Sequence, residues 1–174
     1  MKISVFELRL KVYTLVDINL EEVLSTEAEY IDSAFALDDE WLRFHENNEY
    51  KYYTFSGLYP LAKDGIYKKD NVYTITIRTV DSRVEQYMIK TLANHHTDKM
   101  KGLTITSRII PKKFINQLYT LTPVIQKYDG GYWKKVVSLD EYEKRLFANA
   151  VKKYNAFTME KIDEDFQLYN DKLY

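Results

Sequence analysis

Three observations along this 174-residue chain predict an α+β fold. Apolar and polar residues alternate from Phe6 to Tyr13, from Asn71 to Val80 and from Leu103 to Ile109, the mark of strands with one buried face. Apolar residues recur at helical spacing between 21 and 36 and again after Ser82. A further strand run falls at 50–58, so the order through residue 110 is βαββαβ, the ferredoxin-like pattern.

Taken in order, Phe6, Leu8, Leu10 and Val12 point one way and Glu7, Arg9, Lys11 and Tyr13 the other. Thr26 and Glu29 have capping-box spacing, and Leu24, Ala28, Ile31 and Phe35 form the apolar stripe of a first helix. Asp38-Asp39 can start a short second helix carrying Trp41, Leu42 and Phe44. A loop runs from Gly57 to Gly65 through Pro60. In the next strand Tyr73, Ile75 and Ile77 oppose Thr74, Thr76 and Arg78. Ser82 with Glu85 reads as a second capping box, followed by the stripe Val84, Tyr87, Met88, Thr91 and Leu92. The last strand sets Leu103, Ile105 and Ile109 against Thr104, Thr106 and Arg108. Residues 1–112 are therefore expected to form one ferredoxin-like domain.

Residues 113–174 read as a partial second unit of the same kind. Strands at 121–127 and 132–137 flank Asp129-Gly130-Gly131, a hairpin signal. Ser138 and Glu141 then cap a helix with Tyr142, Leu146, Ala150, Val151 and Tyr154.

Composition narrows the function classes. With 45% hydrophobic and 15% aromatic residues the chain can build a core. It contains no cysteine, which rules out disulfides and thiolate metal sites. Met1 leads straight into strand-like sequence without a signal-peptide pattern, and no apolar stretch is long enough to span a bilayer. The expectation is a soluble, cytoplasmic protein with no membrane partner. Net charge is −1 overall, but it is unevenly spread. Residues 1–50 carry 4 basic and 12 acidic groups, net −8; residues 51–136 carry 15 and 6, net +9; the remainder is −2. Such asymmetry suits a basic face that meets phosphates, or simply solvated charges that balance between halves.

Among residues that carry chemistry, Tyr30, His45 and Lys51 stand out, followed by Tyr52-Tyr53-Thr54-Phe55-Ser56. They supply a phenol, a base that titrates near neutrality and a compact cation, ahead of a strand. Each also has a plainer reading: His45 as a helix-end residue, Tyr30 as packing beside Ile31, and Lys51 as a solvated charge. His95 and His96 are adjacent, so on a helix they point about 100° apart and make a poor metal pair. Arg78, Arg108, Lys112 and Lys113 are candidate phosphate contacts, and Trp133 a candidate base-stacking residue or a packing residue. No phosphate-cradling glycine loop, GxSxG or HExxH is present, and no metal site is indicated.

The spacing of the trio, 15 residues from Tyr30 to His45 and 6 more to Lys51, resembles that of the CRISPR-associated endoribonucleases that cut precursor CRISPR RNA within its repeats, members of the RAMP superfamily. The stretch Leu42-Arg43-Phe44-His45 to Lys51-Tyr52-Tyr53-Thr54-Phe55-Ser56, the segment Thr122-Pro123-Val124-Ile125 and the helix end Asn149-Ala150-Val151-Lys152-Lys153-Tyr154 are similar to the family as well. The resemblance implies metal-independent RNA cleavage without a cofactor. The 2′-hydroxyl attacks the adjacent phosphate, giving a 2′,3′-cyclic phosphate and a 5′-hydroxyl. His45 is the implied base, Lys51 steadies phosphate charge, and Tyr30 orients the nucleophile or helps protonate the leaving oxygen. CRISPR repeat RNA is the implied ligand, with other CRISPR proteins and a second copy of this chain as further candidate partners. The family's glycine-rich loop has no counterpart among the five glycines, so a C-terminally shortened form is expected. Such a form leaves a rival open: a non-catalytic RNA- or protein-binding relative, including a mimic that inhibits a CRISPR complex.

Overall fold

The computed structural model describes residues 3–47, 49–111, 113, 115–117, 124, 126, 128–159 and 161–162. The chain divides into two compact units, Lys2–Thr122 and Pro123–Tyr174.

In the larger unit four strands make one antiparallel sheet: β1 (Phe6–Thr14), β3 (Tyr53–Phe55), β5 (Val72–Thr79) and β6 (Met100–Ile109), in the order β3-β5-β1-β6. β2 (Ile18–Asn19) and β4 (Ile66–Tyr67) form a separate two-stranded ribbon. With α1 (Val23–Phe35) after β1 and α3 (Ser82–Thr91) after β5, the four main strands realise the ferredoxin-like topology. The strand read at 50–58 contracts to the three residues of β3.

Alternation in β1 does what the sequence requires of it. Leu8, Leu10 and Val12 are fully buried and pack with Ile75, Ile77, Ile31, Phe35, Val84, Met88 and Leu92 in one core. Arg9 and Lys11 lie exposed on the opposite face.

Two capping assignments are corrected. α1 begins at Val23, so Thr26 is a buried residue inside the helix and caps nothing. The inward face is Val23, Thr26, Glu27, Tyr30, Ile31, Ala34 and Phe35, while Leu24 is exposed. The expected stripe is thus rotated by about one residue, because the true face includes polar side chains that an apolar count passes over. α3 is capped by Asp81, whose carboxylate accepts from the Arg83 amide, and not by Ser82. The short α2 (Asp39–Glu46) starts as expected, Asp38 accepting from the Glu40 and Trp41 amides.

In the smaller unit the turn at Asp129-Gly130 closes an antiparallel bridge between Tyr128 and Gly131. Gly130 and Gly131 have φ of 105° and 111°, which glycine adopts without strain. The strand expected at 132–137 is not formed: Trp133–Lys135 is a single 3₁₀ turn, with Trp133 stacked on Tyr142. Most of the partner run at 121–127 lies outside the described residues. α4 (Leu139–Thr158) follows, its first turn capped by the Ser138 hydroxyl accepting from the Glu141 amide.

Candidate active site and nucleic-acid interface

α2 is held to the larger unit by aromatic contacts. Trp41 stacks on Tyr87 of α3 at 4.4 Å, and Trp41 and Phe44 lie 5.7 and 5.8 Å from Phe35 of α1. His45 belongs to the same face of α2 as Trp41 and Phe44 by the i, i+3, i+4 rule. Its ring lies nearly parallel to Phe35 (14°, centroids 6.2 Å apart), and its Nδ1 is 3.5 Å from an Asp32 carboxylate oxygen. About a third of the side chain is exposed. Burial raises the Asp32 carboxyl above its ordinary value, against the pull of His45. Tyr53 of β3 packs on Phe35 at 5.8 Å, and burial followed by the Asp32 charge pushes its phenol up to about 12.

The other members of the expected trio are otherwise engaged. Tyr30 is completely buried, and its hydroxyl donates to the carbonyls of Leu92 (2.6 Å) and His95 (3.0 Å). Burial raises its phenol far above the ordinary value, against a lowering backbone hydrogen bond at Gly102. A proton held this way is locked into the core, and the position is one of packing. Gly102 makes room for it: a methyl group there would stand 2.5 Å from the Tyr30 oxygen and inside contact distance of the Leu92 carbonyl. The Lys51 ammonium donates to the carbonyls of Phe44 and Asn47 and lies over the Phe44 ring. It satisfies orphan acceptors at the C-terminal end of α2 and sits where the helix dipole favours a cation. The fold therefore brings His45 and Lys51 to the same helix end and sends the Tyr30 hydroxyl to the segment after α3.

His95 occupies that segment as a buried side chain, edge-on to Tyr30, with Nε2 2.8 Å from the Ser33 hydroxyl. Burial, and then the charge of His96, lower its pKa. His96 is exposed, so the adjacent histidines do not converge. Among the described residues no three His, Asp or Glu side chains cluster as metal ligands do.

The second cluster covers the sheet face away from the helices. Glu7, Arg9 and Lys11 of β1 stand between their partners on β5 and β6 in three rows: Arg78–Glu7–Arg108, Thr76–Arg9–Thr106 and Thr74–Lys11–Thr104. Successive rows are about 6.7 Å apart, two residues of strand rise. Glu7 is nearly buried, receiving two hydrogen bonds from Arg78 (3.1 and 2.9 Å) on one oxygen and two from Arg108 (3.0 and 2.7 Å) on the other. Burial works to raise this carboxyl, and the hydrogen bonds and charges of Arg108 and Arg78 overcome it and hold it low. Most of these residues, with Tyr59, line a shallow concavity of about 620 Å³.

Arg78 and Arg108, named in the sequence as candidate phosphate contacts, thus stand on one sheet face, on either side of Glu7. Arg9 and Lys11 were legible in the β1 alternation but were not singled out by any motif. Lys113 is exposed, Lys112 lies outside the described residues, and Trp133 is in the smaller unit against Tyr142. Asp32, 13 residues before His45, carried no sequence signal; Tyr53 lies in the run Tyr52-Tyr53-Thr54-Phe55-Ser56 but was not itself singled out.

These features define an α+β protein of ferredoxin-like topology, with an aromatic-packed histidine on its helical side and a basic ladder on its open sheet face. No protein-family model matches the chain, and no curated protein matches it. Among solved structures it is similar to one described as CRISPR associated protein Cas6, with a TM-score of 0.55 and 18% identity over 91% of this chain and 74% of that one. The fold is Cas6-like. Among the described residues no helix is long and apolar enough to cross a membrane.

Proposed function

We propose that this protein binds CRISPR repeat RNA and cleaves it once within the repeat, without a metal. The observation that carries the reading is the Cas6-like fold with a partly exposed imidazole, His45, held against Asp32. The ladder of Arg9, Lys11, Arg78 and Arg108 supports the binding half: Arg9, Arg78 and Arg108 meet the carboxylate of Glu7 and Lys11 stands two rows further along, with threonine hydroxyls in the rows between. Chemically, Nε2 of neutral His45 takes the 2′-hydroxyl proton, the 2′-oxygen bonds to phosphorus, and the bond to the 5′-oxygen breaks as that oxygen takes a proton from water. The products are a 2′,3′-cyclic phosphate and a 5′-hydroxyl. Lys51 contributes positive potential from the helix end it caps. Tyr30 takes no part, because its hydroxyl is committed inside the core. The proposed compartment for this reaction is the cytoplasm.

End-labelled repeat RNA from the same genome, incubated in EDTA, tests this. Cleavage at one position that disappears in His45→Ala supports the assignment; equal rates in the two proteins sink it. A second reading has a specific observation behind it: two of the three expected catalytic groups, Tyr30 and Lys51, are engaged in structural hydrogen bonds. Under that reading the chain binds repeat RNA and does not cut it, which tight binding with no cleavage by the complete protein would establish.

A further inference from the structure

We infer that Asp32 is the positioning residue for His45: from α1 it faces Nδ1 of the imidazole, selects the tautomer protonated there, and leaves the lone pair of Nε2 directed outward. This rests on the reading of His45 as the base. Sequence spacing put Tyr30 in the company of His45, but the fold replaces it with the residue two positions later on the same helix.

Three contacts fix the ring. Its plane is set by Phe35, nearly parallel beneath it; its position along α2 is set by Trp41 and Phe44, which anchor the helix to the same phenylalanine; its rotation is set by the Nδ1–Asp32 approach of 3.5 Å. That separation is characteristic of an ion pair and a few tenths of an ångström beyond an ordinary hydrogen bond. Catalytic contacts of this kind commonly tighten when substrate binds. Among the described residues Nε2 has no hydrogen-bond partner, so it is the nitrogen left to accept a proton.

The charged and titratable groups around the ring are Asp32 from α1, Tyr53 from β3 beside that carboxyl, Lys51 at the end of α2, and Tyr87 from α3 stacked on Phe35. Among the described residues only Asp32 is an acidic acceptor aimed at a ring nitrogen. A carboxylate that holds the donor nitrogen of a general base keeps it in the reactive tautomer and stabilises the imidazolium that forms, which is the physical role of the third member of a nucleophile–base–carboxylate chain.

The experiment compares wild type with Asp32→Ala and Asp32→Asn. Asp32 is partly exposed, so both variants retain the core, as far-ultraviolet circular dichroism will verify. Three readouts are made. Nitrogen–proton correlation spectra of the imidazoles, with His45 assigned from His45→Gln, report which nitrogen carries the proton at neutral pH. Single-turnover cleavage of repeat RNA in EDTA reports the chemical step, and filter binding reports affinity.

The expected result is a His45 proton on Nδ1 in wild type and a mixed or Nε2-protonated ring in the variants. Cleavage should slow by about 10²-fold or more, within the range a positioned base contributes, with affinity unchanged. An unchanged His45 tautomer, or undiminished single-turnover rates, overturns the inference. If wild type itself does not cut, the proposed cleavage falls, and the tautomer comparison alone then decides whether Asp32 positions the ring.

Discussion

Glu27 offers the sharpest test of how this core is built. The side chain is completely buried on the inward face of α1, near Tyr67, and neither carboxylate oxygen has a hydrogen-bond partner among the described residues. Burial raises its pKa from 4.5 to about 9. The folded protein therefore holds Glu27 neutral at pH 7, while the unfolded chain ionises it. A raised carboxyl pKa stabilises nothing at high pH: the folded state is at no disadvantage below pH 4.5, and stability then falls with rising pH until the folded group itself ionises near 9. At 1.36 kcal/mol per pH unit, the penalty at pH 7 is about 3 kcal/mol. Marginal domains have only about 5–15 kcal/mol in total. Glu27→Gln keeps the shape and removes the proton equilibrium. Urea unfolding of both proteins from about pH 5 to pH 8.5 should show wild type losing about 4–5 kcal/mol relative to the variant across that window. Glu27→Met, which removes the buried polar group altogether, should be more stable than wild type at neutral pH. Stability curves that run parallel to within about 1 kcal/mol would refute the reasoning, since they would mean that the folded protein accommodates the carboxylate as readily as water does.

Three further outcomes follow from the same geometry. Tyr30→Phe should destabilise the larger unit by about 1–3 kcal/mol in denaturant melts, because the Leu92 and His95 carbonyls lose their buried donor, yet leave RNA cleavage per folded molecule unchanged; a selective loss of activity would return Tyr30 to the catalytic set. Gly102→Ala should cost about 1–3 kcal/mol or more, since its methyl collides with the Leu92 carbonyl and crowds the Tyr30 hydroxyl, and a melt equal to wild type would disprove that close approach. The double variant Arg9→Ala, Lys11→Ala should weaken RNA binding and reduce the slope of log affinity against log salt by about 1.4, two single-strand phosphate contacts at about 0.7 each; an unaltered slope would remove the sheet face from the interface.

Local patterns were read well where one physical rule dominates. Strand alternation placed Leu8, Leu10 and Val12 inside and Arg9 and Lys11 outside, because the period of two leaves no other choice once one face is buried. The start of α2 at Asp38 and of α4 at Ser138 followed from side-chain oxygens that satisfy free amides. The failures arose where two local solutions compete. Asp81 and Ser82 are both good caps, and backbone geometry chose the first. Thr26 and Glu29 have the spacing of a capping box but lie inside α1, which starts a turn earlier. Residues 132–137 read as a strand, yet Trp133–Lys135 coils into a 3₁₀ turn with Trp133 stacked on Tyr142.

The candidate site divides the same way. Sequence by itself determined the ferredoxin-like order of elements, the outward set of β1 that carries Arg9 and Lys11, and His45 as the titratable group worth watching, since composition, periodicity and spacing are properties of the chain. Tertiary structure alone decided which side chain faces His45. Helix α1 turns about 100° between successive residues, so Tyr30 points into the core toward Leu92 and His95 while Asp32, two residues on, reaches the imidazole. Spacing along a chain counts residues; a proton transfer depends on the direction of a bond, and that direction exists only after the helix has packed.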